Sequence, residues 1–240
     1  LPRAGGEVRV RAVQVVRHGD PVEVLAVREV SEPEPGPGEV RIAVSAASLN
    51  FGDIARCRGT VASVTGEPPF TIGMDVCGVV DRAGEGGTEW LGRRVVAMTK
   101  QSLGGIAECA IAPAATVFDA PSELDDADAA AFTLPFHVSY LALHRRAHLA
   151  PGERLLVMGG ASAVGTAAIQ LGVATGADVL AVAGGPDKVK VCEELGATGV
   201  DHTAADLFDA VIAHTDGHGV DVAFDVVGGE RTEQIWTCMA

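Results

Sequence analysis

The chain has 240 residues, 30 of them glycine, with 48% hydrophobic and 21% charged residues, which excludes disorder and collagen-like repeats. At roughly 150 residues per domain this length allows one large domain or two smaller ones. Eighteen Lys and Arg against 32 Asp and Glu give a net charge of −14, so the surface repels nucleic acid and anionic lipid, and an anionic ligand needs a local exception.

Cys57, Cys77, Cys109, Cys192 and Cys238 stand far apart with no C-x-x-C pair. This argues against a disulfide framework or a clustered zinc site, and for buried thiols in a reducing compartment. Every apolar stretch is broken before the roughly 18 positions that a membrane span needs, so no membrane partner is expected. The opening LPRAGGEVRV holds neither a compact apolar segment nor a small-residue cleavage site, and no signal peptide is expected.

In chain order, VRVRAVQVV (8–16), EVRIAVSAAS (39–48), VCGVVDRA (76–83) and RRVVAM (93–98) alternate or carry β-branched runs, which predicts strands. The prolines and glycines of SEPEPGPGEV (31–40) exclude a helix there. Many short strands with such punctuation predict a small β-barrel or sandwich. After Pro121 the pattern changes. SELDDADAAAFTLP (122–135) predicts a helix capped by Ser122, with acids in its first turn, and SYLALHRRAHL (139–149) predicts a second. His137, His144 and His148, beside arginines, are taken as surface or packing residues. Strands over 154–158, 178–183, near 199–200 and over 220–227 then alternate with helices over about 163–174 and 187–195, which predicts parallel βαβ units. The boundary is placed at 126, giving units 1–126 and 127–240.

RLLVMGGASAVGTAAIQLG (154–172) is a strand that enters a Gly-rich turn and opens into a helix, the context of a dinucleotide-binding turn. Free N–H groups and the dipole at a helix start hold a pyrophosphate, and glycines let the backbone approach it. Gly159 is expected to make the turn, Ala163 and Val164 to present amides, and Gly165 to allow helix and strand to pack closely. The spacing is G-x-x-S-x-x-G, with Ser162 in the middle place. Glycines serving only the geometry of the turn remain the plainer alternative. The acid that takes the ribose hydroxyls of NAD is absent from the end of the next strand. Gly184 and Gly185 leave room there, and Lys188 could pair with the 2′-phosphate of NADP or be an ordinary exposed lysine.

These segments, with SLNFGD (48–53), PFTIGMDVCGVV (69–80) and GGIAECAIAP (104–113), resemble in collinear order the medium-chain dehydrogenase/reductase superfamily, specifically its zinc-free quinone oxidoreductase (zeta-crystallin-like) branch. The resemblance implies an α/β protein: an N-terminal GroES-like β-barrel catalytic domain followed by a Rossmann-type doubly wound parallel sheet. It also implies hydride transfer from NADPH to a quinone or another α,β-unsaturated carbonyl. Asn50 and Asp53 fall on the branch's N-x-x-D, where zinc enzymes supply their first Cys ligand, and Met74 and Asp75 stand where a zinc-binding His would be carried. No zinc is expected, and no Cys and His lie at ligand spacing in the first domain.

Ser139 and Tyr140 match the segment whose hydroxyl approaches the nicotinamide end, Lys188 falls on the NADPH-phosphate lysine, and His202 stands where relatives often have a tyrosine. Asn50 is a candidate catalytic group lining a cleft between the domains together with Asp53, although it could instead cap a turn; His202 could lie solvated on a loop. Ser162 in place of the family's glycine could loosen the pyrophosphate fit. Readings carried beside the quinone reductase are an enoyl-thioester reductase of the same superfamily and a non-catalytic, crystallin-like NADPH binder. A short-chain dehydrogenase needs Y-x-x-x-K, whereas Tyr140 is followed four places later by His144. The resembling proteins continue past EQIWTCMA (233–240), so the C-terminal part of the Rossmann domain is expected to be missing, and a cytoplasmic homodimer is expected of the full-length protein.

Overall fold

A computed structural model describes residues 8–60 and 67–240; the first seven residues, part of the stretch read as lacking a leader, lie outside it. The chain divides into Leu1–Thr133 and Leu134–Ala240. Sequence reading puts the boundary at 126, seven residues earlier and at the start of the helix in which this division falls.

The first unit is antiparallel. Strands β3 (Glu39–Ala47), β5 (Asp75–Ala83), β6 (Arg94–Met98), β7 (Cys109–Pro113) and β8 (Val117–Asp119) form a sheet in the order β7-β3-β5-β6-β8. A second sheet runs β2-β1-β4, from β1 (Arg9–Val15), β2 (Leu25–Ser31) and β4 (Phe70–Thr71). The sheets meet where Ala12 pairs with Ala107 and the Val13 N–H donates to the Ile106 carbonyl at 2.8 Å. The expected alternation is visible at the start of β1, where Val10 and Ala12 are buried while Arg9 and Arg11 face water. Gly78 answers a close approach: a Cβ there would lie 2.1 Å from the Ala43 carbonyl oxygen, beside the register shift between Val44 and Ala46. Arg41, buried within β3, is held by Asp81 (2.9 and 2.7 Å) and Glu32 (2.9 Å); the Asp81 hydrogen bond raises the guanidinium pKa against the opposing effect of burial. The short helices α1 (Pro21–Val24) and α2 (Phe51–Arg58) belong to the same unit.

The second unit is a four-stranded parallel sheet of β9 (Arg154–Met158), β10 (Asp178–Ala183), β11 (Thr198–Asp201) and β12 (Val222–Asp225), in the order β11-β10-β9-β12. This is the 3-2-1-4 portion of the dinucleotide fold. Helices cover both faces, so alternate residues of one strand serve two cores. Leu155 and Val157 pack with Ala168, Ile169 and Cys192, and Leu156 and Met158 pack with Leu207, Val211 and Ile235.

Four expectations need correction. The helix placed at 122–135 is α3 (Asp126–Tyr140), and its cap is Asp125 rather than Ser122: the Asp125 carboxylate accepts the Asp128 N–H at 2.8 Å. No break separates it from the helix placed at 139–149. The chain passes through Pro135 and continues as a wider π-turn over Leu141–Arg146, which the Ala147 N–H closes on the Ala142 carbonyl at 2.9 Å. The last strand is shorter than 220–227, because the Asp225 carboxylate draws the Val227 and Gly228 N–H groups into a turn. Finally, Cys57, Cys77, Cys192 and Cys238 are buried free thiols but Cys109 is only partly buried; burial pushes Cys77 up to about 11. Among the described residues no helix is long and apolar enough to cross a membrane.

Candidate functional site

In the second unit β9 ends at Met158, and the chain turns through Gly159, whose φ of +71° lies in the left-handed region that favours glycine. The Gly160 N–H ties the turn to the Val182 carbonyl at 2.9 Å. Helix α4 (Ala163–Thr175) follows, with Ser162 as its N-cap: the Ser162 Oγ accepts the Gly165 N–H at 3.0 Å. Serine thus does a capping task worth about 1 kcal/mol, and its own proton remains free to donate. Ala163 and Val164, at the first two helical positions, present N–H groups without intrahelical acceptors. Gly165 is set by close approach, since a Cβ there would stand 2.2 Å from the Gly159 carbonyl oxygen. Ser139 is fully buried and its hydroxyl donates to the Val164 carbonyl at 3.0 Å, which ties α3 to the first turn of α4.

A cavity of about 290 Å³ lies beside this turn, lined among others by Ser162, Gly184, Lys188, His202 and Arg231. Lys188 comes from the first turn of α5 (Pro186–Glu194) and Arg231 from the start of α7 (Glu230–Thr237). Gly184, just beyond β10, explains how His202 enters: a Cβ at 184 would lie 2.9 Å from the imidazole Nε2, so the ring packs over the glycine. Neighbouring Asp201 accepts from the Gly185 N–H (3.0 Å) and from the Thr203 hydroxyl (2.7 Å) and N–H (2.9 Å). These bonds, the Gly185 one first, hold its carboxyl below the ordinary value and fix the loop that carries His202. Sequence reading missed Arg231 because α7 was not predicted, and α6 (Leu207–His214), capped by Asp206, was missed with it. The available signals were Gly229 and the acids Glu230 and Glu233 at the helix start.

In the first unit Asn50 and Asp53 are brought together at the start of α2. The Asp53 carboxylate accepts the Asn50 N–H at 2.9 Å and the Gly73 N–H at 3.1 Å. The Asn50 side-chain amide donates to the Ser48 hydroxyl (2.8 Å) and to the fully buried Asp75 carboxylate (2.9 Å), and Ser48 also donates to Asp75. The Asn50 amide nitrogen and the Asp53 carboxylate are thus engaged within the first unit. Among the described residues no group of three His, Cys, Asp or Glu side chains is placed to hold a metal ion.

Residues 36–122 match the alcohol dehydrogenase GroES-like domain family and residues 163–240 the zinc-binding dehydrogenase family. The chain is 34% identical over 238 residues to the quinone oxidoreductase-like protein 2 homolog of Nematostella vectensis, covering 98% of this chain and 64% of that protein, less than two thirds of its length. It is 32% identical to the quinone oxidoreductase of Pongo abelii, with 93% of this chain and 68% of that protein covered. Among solved structures, the quinone oxidoreductase of Thermus thermophilus, determined also in complex with NADPH, superposes with a TM-score of 0.81 at 34% identity, covering 96% of this chain and 70% of that one. The CurK enoyl reductase gives a TM-score of 0.87 at 25% identity, with coverages of 97% and 72%.

Proposed function

Because the chain belongs to the quinone oxidoreductase branch of the medium-chain dehydrogenase/reductase superfamily, we propose that it binds NADPH at the glycine turn of its second unit and reduces a quinone or another α,β-unsaturated carbonyl without zinc. The observation that carries the cofactor choice is the end of β10. Gly184 stands where an acid would take ribose hydroxyls, and Lys188 lines the adjoining cavity.

The residues present fit the dinucleotide: the turn lies against α4 too closely for any side chain at 165, which leaves backbone donors at the helix start. When bound, NADPH supplies the hydride. The chain's own residues bind and orient. Ala163 and Val164 donate N–H groups to the pyrophosphate, the Ser162 hydroxyl donates beside them, and Lys188 pairs with the 2′-phosphate. Gly159 lets the backbone approach, and Gly184 makes room for His202 beside the adenosine. Ser139 acts through Val164 as a positioning residue. Asn50 and Asp53 are positioning residues as well, setting the start of α2 next to the Asp75 carboxylate. Zinc independence is supported by the donor set, in which Asn50 and Met74 stand where zinc relatives carry ligands. A cytoplasmic homodimer belongs to the same reading and is carried by the family alone.

Steady-state turnover of 9,10-phenanthrenequinone with NADPH or NADH tests this. Lys188→Ala is expected to raise the NADPH KM at least tenfold and to leave the NADH KM unchanged. Equal use of both cofactors, unaffected by the substitution, refutes the phosphate assignment. The likeness to CurK favours an enoyl-thioester reductase as the second reading, and turnover of enoyl thioesters without quinone reduction would establish it. NADPH binding without oxidation by either substrate class would leave a non-catalytic binder.

A further inference from the structure

We infer that Arg231 is a second cation for the 2′-phosphate of NADPH, sharing with Lys188 a charge that neither could neutralise alone. The inference rests on the nucleotide reading above. The other cations that line described cavities are already paired: Arg11 with Glu108 at 2.7 Å and Lys100 with Glu39 at 2.6 Å. Lys188 and Arg231 line one cavity, and neither has an ion pair among the described residues. In a chain of net charge −14, two unpaired cations at one cavity mark an anion.

The charge of the ligand agrees. A phosphomonoester carries about −1.5 to −2 at neutral pH, so one ammonium leaves roughly half of it uncompensated, whereas the pyrophosphate already has the start of α4. Arg231 also comes from a turn that is held in place. The Asp225 carboxylate accepts the Val227 N–H at 2.9 Å, the Gly228 N–H at 3.0 Å and the Thr232 hydroxyl at 2.6 Å, which fixes the first turn of α7 on both sides of Arg231. A second cavity of about 250 Å³ shares His202 and Arg231 and adds Asp206 and Glu230. Those two carboxylates are absent from the lining of the first cavity, so they disfavour the phosphate in the second and direct it to the side that Lys188 lines.

NADPH and NADH differ only by the 2′-phosphate, and titration of the intact protein by nicotinamide fluorescence, with 2′,5′-ADP as competitor, reads its contribution. Arg231→Ala is expected to weaken NADPH and 2′,5′-ADP at least tenfold and NADH less than twofold. Arg231→Lys should stay within about threefold of the parent, and thermal melts of both variants should match it. Equal weakening of NADPH and NADH assigns Arg231 to the adenine instead and overturns the inference, as does an unchanged NADPH affinity in Arg231→Ala. If the parent protein binds neither nucleotide, the functional reading itself fails and the inference falls with it.

Discussion

Gly165→Ala isolates the fit between the glycine turn and α4. The new Cβ would stand 2.2 Å from the Gly159 carbonyl oxygen and 2.8 Å from the Gly160 Cα and carbonyl oxygen. An ordinary C···O contact is about 3.3 Å, so turn and helix must separate by roughly 1 Å, and because the colliding atoms are backbone no rotamer change relieves them. Overpacking of this kind costs about 3 kcal/mol, the upper part of the usual range. Alanine returns about 1 kcal/mol through its better helix propensity, for a net loss of about 2 kcal/mol. At about 2–4 °C per kcal/mol for a chain of this size, Tm should fall by about 4–8 °C. On the proposed function the same displacement withdraws the Ala163 and Val164 N–H groups from the place given to the pyrophosphate, and NADPH affinity should drop at least tenfold. Differential scanning calorimetry and fluorescence titration read the two effects, with the exposed helix substitution Gln170→Ala as control. A Tm equal to or above the parent's, as at a roomy helical glycine, together with unchanged NADPH affinity, refutes the argument.

Gly184→Asp should shift the proposed cofactor preference toward NADH, because it places a carboxylate at the end of β10 where it can accept ribose hydroxyls and repel a 2′-phosphate. It also forces the His202 ring aside; the ratio of NADPH to NADH kcat/KM is expected to fall at least tenfold, and an unchanged ratio contradicts the assignment. Asp225 makes a pH prediction. Burial pushes its carboxyl up, but the hydrogen bonds from Gly228, Thr232 and Val227 together outweigh that and hold it below the ordinary value. A group depressed in the folded state stabilises above its unfolded value of about 3.9 and loses that contribution as pH falls through the folded one. The Tm difference between the parent and Asp225→Asn should therefore be largest near neutrality and shrink below about pH 4, whereas a gap that does not change with pH removes the carboxylate from the argument.

Local chemistry explains why much of the fold can be read from residues in order. The short RLLVM run of β9, apolar on both faces and closed by glycines, suits a strand covered on two faces, and the turn signals after it lead into a helix start. The strands at 39–48, 76–83 and 93–98 agree with β3, β5 and β6 to within a residue at either end. Helix ends were less legible. Ser122 and Asp125 are both good caps, and the choice fell to Asp125, which reaches the Asp128 N–H at 2.8 Å. Helices α6 and α7 were missed although Asp206 and the acids of α7 mark their starts, because their apolar faces gain meaning only against the far side of the sheet, where Leu207, Val211 and Ile235 meet Leu156 and Met158.

Sequence alone determined most of the alternation of strands and helices and the glycine turn between β9 and α4, since each depends on neighbours in the chain. Tertiary structure decided what the side chains meet. It spent the Ser139 hydroxyl on Val164, engaged Asn50 and Asp53 at the start of α2, seated His202 over Gly184, and brought Arg231 to the cavity of Lys188, 43 positions earlier in the chain. A hydrogen bond or an unpaired charge depends on which groups from distant segments arrive at one place, and no local pattern records that.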